Sequence, residues 1–351
     1  MAFKRNRLHL KPVKRQVLVI TGATSGIGLS LARAAAARGA SLVLTARNEA
    51  ALKAVCEDLS AKGARCAYVV ADVGAPSEVE AVAAFAIAEF GGFDTWVNNA
   101  GVGIIGPIAD TPIADQRRLF DTNYWGVVHG SLAAIAHFRT REGGGALINV
   151  GSPLGDVAAP MQGAYSASKH AVKAFTTALR LEARSEGWPV SVTLVKPQAV
   201  DTPYAAHALN LTGLAVKAPA SVYATPLVAE AILHAAAHPV KALTIGAGGP
   251  MLSIADAICP WIAQRMLSRL VPTLNRKRIA RTDGAEDNLH HPARDLRERT
   301  FHDHVHQTSL VSTAQMRPRT ALTTVALAVG LAAGAAYRFG LRSKAGAQTE
   351  R

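Results

Sequence analysis

The 351-residue chain is 49% hydrophobic and 18% charged, and its 38 basic against 25 acidic residues leave a net charge of +13. Its three cysteines, Cys56, Cys66 and Cys259, show no pairing pattern, which argues against a disulfide framework, and the basic N-terminus has no apolar run to make a secretion signal. A domain facing a reducing cytoplasm is therefore expected.

The elements follow in chain order. Gln16 to Thr21 is a short apolar run suited to a buried parallel strand, followed by the turn Gly22-Ala-Thr-Ser-Gly26-Ile-Gly28 and an alanine-rich helix from Leu29 to Arg38. Alternation continues with strand Ser41 to Ala46, helix Ala50 to Ala61, strand Cys66 to Val70, helix Ser77 to Phe90, strand Thr95 to Asn98 and helix Asp115 to Phe138. Strand Ala146 to Val150, helix Ala164 to Glu186, strand Val190 to Val195, helix Pro226 to Ala237 and strand Ala242 to Ile245 complete it. This pattern predicts an α/β fold, a doubly wound parallel (Rossmann) sheet covered on both faces, as a single domain over 16–250.

Glycines between a strand and a helix let the backbone approach a pyrophosphate, whose charge the free N–H groups at the helix N-terminus stabilise. Farther on, Tyr165 and Lys169 stand four apart on a predicted helix, so that an ammonium can lie beside a phenol and favour its ionisation. Such a pair makes a tunable proton donor.

Together these motifs resemble the short-chain dehydrogenase/reductase family, in its compact branch, over about residues 15 to 250. The resemblance rests on Thr21 to Gly28, on Asp72-Val73, on Asn98 to Gly101 and on Asn123 in Phe120-Asp-Thr-Asn-Tyr-Trp. It rests also on Ser152 in Asn149-Val-Gly-Ser and on Tyr165-x-x-x-Lys169. It implies that Tyr165 transfers a proton to or from the substrate oxygen, that Ser152 hydrogen-bonds that oxygen, that Lys169 lowers the Tyr165 pKa and binds the nicotinamide ribose, and that Asn123 holds a water of a proton relay. Implied cofactor contacts are Thr21, Gly22, Ser25, Gly26, Ile27, Gly28, Arg47, Asp72, Val73, Asn99, Ala100, Gly101, Pro197, Val200 and Thr202, with Tyr165 and Lys169 shared. Asn98 and Asn99 are expected to brace the sheet. One departure stands out: Lys196-Pro197 is followed by Gln198, where the family has glycine.

At the end of the second strand, NAD-binding members carry an acid for the ribose 2′-hydroxyl. Here Ala46 leaves that place empty and Arg47, a guanidinium suited to phosphate, follows, so NADP is expected over NAD. The expected activity is hydride transfer between NADP(H) and a lipophilic carbonyl or alcohol. A cofactor-binding scaffold or sensor without turnover is the alternative from a different class, and an isomerase is a weaker one opposed by the glycine spacing. The resemblance also implies a homo-oligomer through helices Asp115 to Phe138 and Ala164 to Glu186.

The charge excess sits at the ends. Residues 1–15 carry six basic and no acidic groups, residues 16–261 carry 17 against 18, and residues 262–351 carry 15 against seven. Basic flanks on a near-neutral domain suit an anionic surface, and without a nucleic-acid motif lipid is expected rather than nucleic acid. Beyond a basic arm over 1–15 and the catalytic domain, an amphipathic segment over 251–274, interrupted by Pro260, is expected over the substrate cleft or on lipid. Residues 275–318 read as a polar linker or irregular wrap, and 319–345 as a membrane helix around the uncharged run Ala321 to Tyr337. His302, His304 and His306 would share one side of a strand, but with no second cluster or cysteines nearby no metal is assigned.

Overall fold

The computed structural model describes residues 8–214, 221–274, 287–292, 296–300, 302–318, 320, 321 and 323. Seven parallel strands form one sheet: β1 (Val17–Thr21), β2 (Ser41–Ala46), β3 (Cys66–Val70), β4 (Thr95–Asn98), β5 (Gly145–Val150), β6 (Val190–Pro197) and β7 (Ala242–Ile245), in the spatial order β7-β6-β5-β4-β1-β2-β3. Both faces of these strands are covered, which is why their sequences read as apolar runs and not as alternating ones: all six residues of β5 are buried. Successive residues of β1 serve opposite faces. Leu18 and Ile20 pack with Leu29 and Leu31 of α1 (Gly26–Ala36), Leu52 of α2 (Glu49–Ala61) and Ile232 of α8 (Thr225–Ala237). Val19 meets Val82 of α3 (Pro76–Phe90), Ile135 of α5 (Gly126–Phe138) and Leu179 of α6 (Gly163–Ser185).

Local chemistry sets the element ends. Asn48 caps α2 by accepting from the Ala51 amide at 3.0 Å. Pro76 begins α3, and Gly91 at φ 73° ends it in the left-handed region. The sheet's order reverses between β4 and β2, with β1 at the switch, so the carboxyl ends of β1 and β4 open the crevice where such sheets bind ligands.

Four sequence readings are revised. The helix expected from Asp115 to Phe138 is two helices, α4 (Ile113–Phe120) and α5, joined by a π-helical turn at Asp121–Trp125. Cys56 and Cys66, expected to be unpaired, form a disulfide with Cα atoms 5.4 Å apart, because α2 folds back directly onto β3. The reducing compartment inferred from unpaired cysteines loses its support with them.

The third narrows 275–318, read as a linker or an irregular wrap, to the wrap, for the described residues between 287 and 316 lie against the catalytic domain. Asn288 donates its amide to the His207 carbonyl, Leu289 is fully buried beside Val102, Ile104 and Leu119, and the Gly26 amide donates to the Arg297 carbonyl at 3.0 Å. Buried Asp201 accepts from Arg299 Nε at 3.0 Å and from the Thr300 amide at 2.9 Å. Val305–His306 pairs in parallel with Val222–Tyr223, and α11 (Leu310–Met316) packs on β7 with Gln315 Oε1 accepting from the Thr244 amide.

Fourth, the three histidines do not gather. His302 Nε2 is 4.0 Å from Asp201 and His306 lies against the Tyr223 ring. Among the described residues no three metal-capable side chains are grouped. The basic arm is described from residue 8, and its Lys11 pairs with Asp94 at 2.7 Å. Two helices, α9 (Gly248–Ile258) and the amphipathic α10 (Pro260–Leu274), follow β7. Among the described residues no helix is long and apolar enough to cross a membrane, and nearly all of the run from Ala321 to Tyr337 lies outside them.

Candidate active site

The crevice is a cavity of about 670 Å³, reaching from Arg47 and Asp72 to Leu252 and Leu267. Its floor is the turn after β1. Gly22 (φ 65°) and Gly26 (φ 51°) hold left-handed conformations, and a Cβ on Gly28 would sit 2.1 Å from the Gly22 carbonyl oxygen, so no side chain fits there. Ser25, the N-cap of α1, spends no side-chain bond on its helix, which leaves the helix N-terminus directed at the cavity. This cradle fits a pyrophosphate.

Of the expected site residues, all line the cavity except Thr21, Gly28 and Asn123. Thr21 is turned inward, where its hydroxyl accepts from the Asn99 and Ala100 amides at 2.9 and 3.0 Å. Its role is to hold the β4 end against the turn, a correction to the expected cofactor contact. Gly28 contributes by having no side chain. Asn123 lies in the π-helical turn, accepting from the Val102 amide at 2.8 Å and donating to the Val102 carbonyl and to Ser168 Oγ. Asn98 and Asn99 brace the sheet as expected, Asn98 through Asn149 and Asn99 through the Thr21 carbonyl.

The reactive groups stand at the opposite end of the floor. Ser152 accepts from the Leu154 amide at 3.1 Å, which fixes its oxygen at the end of β5. Tyr165 on α6 has its phenol within reach of Ser152 and of Tyr204, a residue of the single-turn α7 (Tyr204–His207). One turn on, Lys169 is buried, donates to the Val150 carbonyl at 3.1 Å and stands 5.6 Å from the Tyr165 ring centre. Burial lowers its pKa to about 8. The expected depression of the Tyr165 pKa is not found: burial pushes it up to about 12, against the opposing hydrogen bonds of Ser152 and Tyr204. The ammonium is engaged by the Val150 carbonyl, and desolvation of the phenolate outweighs what remains.

Asp156 fastens the loop that follows Ser152. It pairs with Lys173 of α6 at 2.6 Å and Lys196 of β6 at 2.7 Å, and although burial opposes ionisation, these two cations hold its carboxyl below the usual range. Gln198, the departure from the resembled family, also has a place. Its side chain accepts from the Gly248 amide at 3.0 Å, and a Cβ on Gly246 would lie 2.5 Å from its Oε1, so glutamine and two glycines together shape the junction of β7 with α9.

At the far end, Arg47 donates to the carbonyls of Asn288, Leu289 and His291, and Arg118 pairs with Asp72 and donates to the Leu289 carbonyl. Residues 288–291 thus form a strap across the second-strand end of the cleft. Sequence reasoning missed the strap, Arg118, Gln162 and Tyr204. None of them belongs to a local motif, although the Tyr204 phenol beside an apolar cleft was a signal to be had.

Comparisons with known proteins agree with this geometry. A family model described as short chain dehydrogenase matches residues 16–210. The uncharacterized oxidoreductase YxnA of Bacillus subtilis is 44% identical over 271 residues, which is 76% of this chain and 75% of that protein. Among solved structures, a short-chain dehydrogenase/reductase from Burkholderia phymatum in complex with NAD superposes with a TM-score of 0.61 at 26% identity, covering 76% of this chain and 98% of that one. An alcohol dehydrogenase from the archaeon Thermococcus sibiricus complexed with 5-hydroxy-NADP gives 0.58 at 25% identity, covering 66% and 95%.

Proposed function

Because the chain belongs to the short-chain dehydrogenase/reductase family of oxidoreductases, we propose that it catalyses NADP(H)-dependent interconversion of a lipophilic carbonyl compound and its alcohol. The observation that carries this reading is the meeting of Ser152 and Tyr165 in a predominantly apolar cavity continuous with the glycine cradle.

Gly22, Ser25, Gly26 and Ile27 would hold the pyrophosphate, Lys169 the nicotinamide ribose, and Pro197, Val200 and Thr202 the nicotinamide side of the cleft. Once bound, the nicotinamide cofactor supplies or accepts the hydride. Ser152 orients the substrate oxygen. Tyr165 gives that oxygen a proton during reduction and takes one during oxidation, and its high pKa in the free protein keeps the proton available at neutrality. Lys169, easily deprotonated for a lysine, passes protons beneath it. Asn123 shapes the backbone at Val102 beside them, and ordering a relay water there would be its part in the reaction.

NADP is supported by this chain's own residues. Ala46 offers no carboxylate to repel a 2′-phosphate, and Arg47 beside Arg118 makes that end of the cavity cationic. Arg47 would exchange strap carbonyls for phosphate oxygens. The strap's hold on Arg47 and the Arg297 carbonyl's hold on the Gly26 amide also favour, as second reading, a cofactor-responsive scaffold without turnover.

The lipophilic substrate and a lipid-surface location are supported by one region. Met251, Ile254, Ile258, Trp261 and Met266 of α9 and α10 are exposed with Arg265 among them, while Leu252 and Leu267 of the same helices line the cavity, so an apolar surface adjoins the cavity mouth. Self-association through α4, α5 and α6 is supported by exposed Trp125, Leu132 and Leu181. The deciding experiment is NADPH consumption by purified protein across sterol, retinoid, acyl and small ketones. Turnover favouring the larger substrates supports the proposal, whereas NADPH binding with no oxidation by any of them supports the scaffold. Co-flotation with anionic vesicles tests the lipid surface, and protein that stays unbound at low and high salt alike removes it.

A further inference from the structure

A second phenol faces the first. Tyr204 reaches over from α7 until its ring centre is 5.5 Å from that of Tyr165, the planes inclined by 59°. The space it fills exists because position 103 is glycine: a Cβ there would lie 2.5 Å from Tyr204 Oη and 2.6 Å from its Cζ. On its other side Gln162 Nε2 donates to Tyr204 Oη at 3.4 Å. With that lone pair engaged, the Tyr204 hydroxyl is free to donate toward Tyr165. The cleared glycine seats the ring, whereas the amide donor at its oxygen concerns the hydroxyl alone.

We propose that Tyr204 is a positioning residue for proton transfer, donating a hydrogen bond to Tyr165 Oη that strengthens as Tyr165 becomes phenolate. The inference rests on Tyr165 being the acid and base of the proposed reaction. During reduction the Tyr165 O–H bond breaks, a new O–H bond forms on the substrate oxygen and the phenolate keeps the electron pair. Tyr204 keeps its own proton throughout, and burial together with the neighbouring Tyr165 raises its pKa well above the ordinary phenol value, so it remains a donor. Around the Tyr165 phenol stand Lys169 on the same helix, Ser152 from the β5 end and Tyr204 from α7. The other charged or titratable groups lining the cavity are Arg47, Asp72, His207 and His302.

Tyr204→Phe tests the inference, since it keeps the ring and removes only the donor. Losing a donor raises the Tyr165 pKa, so the rising limb of alcohol oxidation should move to higher pH by about one unit, with kcat lower by about tenfold at neutral pH and KM changed less than about threefold. Gly103→Ala, which crowds the Tyr204 ring, should move the limb the same way. Independently of turnover, protein labelled with ¹³C at the Cζ of its six tyrosines reports Tyr165 directly, its resonance assigned by loss in Tyr165→Phe. That resonance should titrate at higher pH in Tyr204→Phe. An unmoved pH profile in an active Tyr204→Phe enzyme, or an unmoved Tyr165 titration in protein without turnover, overturns the inference. Absence of turnover in the wild type bears on the reductase reading alone.

Discussion

The two ends of the cleft are built on different length scales. The glycine cradle comes from a single turn, in which Gly22 and Gly26 take positive φ and Gly28 packs on the Gly22 carbonyl. The Arg47 edge joins that residue to a carbonyl 242 residues away, and even the cradle's Gly26 amide donates to one 271 residues away. Local ends can be read from spacing, because each residue's neighbours are fixed by the turn or helix it belongs to. Assembled ends cannot, because nothing near Arg47 in sequence announces Leu289.

The same contrast explains what was legible. The alternation of strands and helices, the cradle and the spacing of Tyr165 with Lys169 rest on periodicity and on motifs confined to one strand–turn–helix unit. What escaped was juxtaposition. The π turn that seats Asn123 depends on packing against Val102. The Cys56–Cys66 pair appears only when α2 is laid on β3. The high pKa of Tyr165 follows from burial, to which a four-residue spacing is blind.

The comparison can be broken most sharply at its chemical centre. Tyr165→Phe should lower turnover by at least ~10²-fold with NADPH binding retained, measured by steady-state kinetics and by fluorescence titration of NADPH. Undiminished turnover would move the proton donor elsewhere. Next in size is the assembled edge: Leu289→Ala empties a fully buried site and should cost about 2–3 kcal/mol, read from the urea midpoint. An unchanged midpoint would mean that 287–292 is undocked in solution.

Arg47→Ala comes third. It should raise the KM for NADPH by about tenfold and that for NADH by much less, since the guanidinium's value lies in the 2′-phosphate. Equal changes for both cofactors would leave Arg47 as an anchor of the strap only. The smallest effect concerns Asp156, whose carboxyl is held below its ordinary range by Lys173 and Lys196 despite burial. A depressed native pKa contributes stability that is present above the unfolded value near ~3.9 and is lost as pH falls through the native one. Wild-type protein should therefore lose about 1 kcal/mol more than Asp156→Asn on acidification from pH ~6 to below ~3, measured by denaturant melts at each pH. Parallel losses in the two proteins would show that the ion pairs contribute nothing.

A long-range edge also has an order of assembly. During synthesis the Gly26 amide and the Arg47 guanidinium leave the ribosome some 240 to 270 residues ahead of their partners in the strap. The residues of the sheet from β1 to β7 are all made before Leu289 or Arg297 exists, and a closure of that length carries a larger entropic cost than the local turns. The nascent protein thus carries its glycine turn and Arg47 with that side of the cleft still open until residues 288–297 have been made.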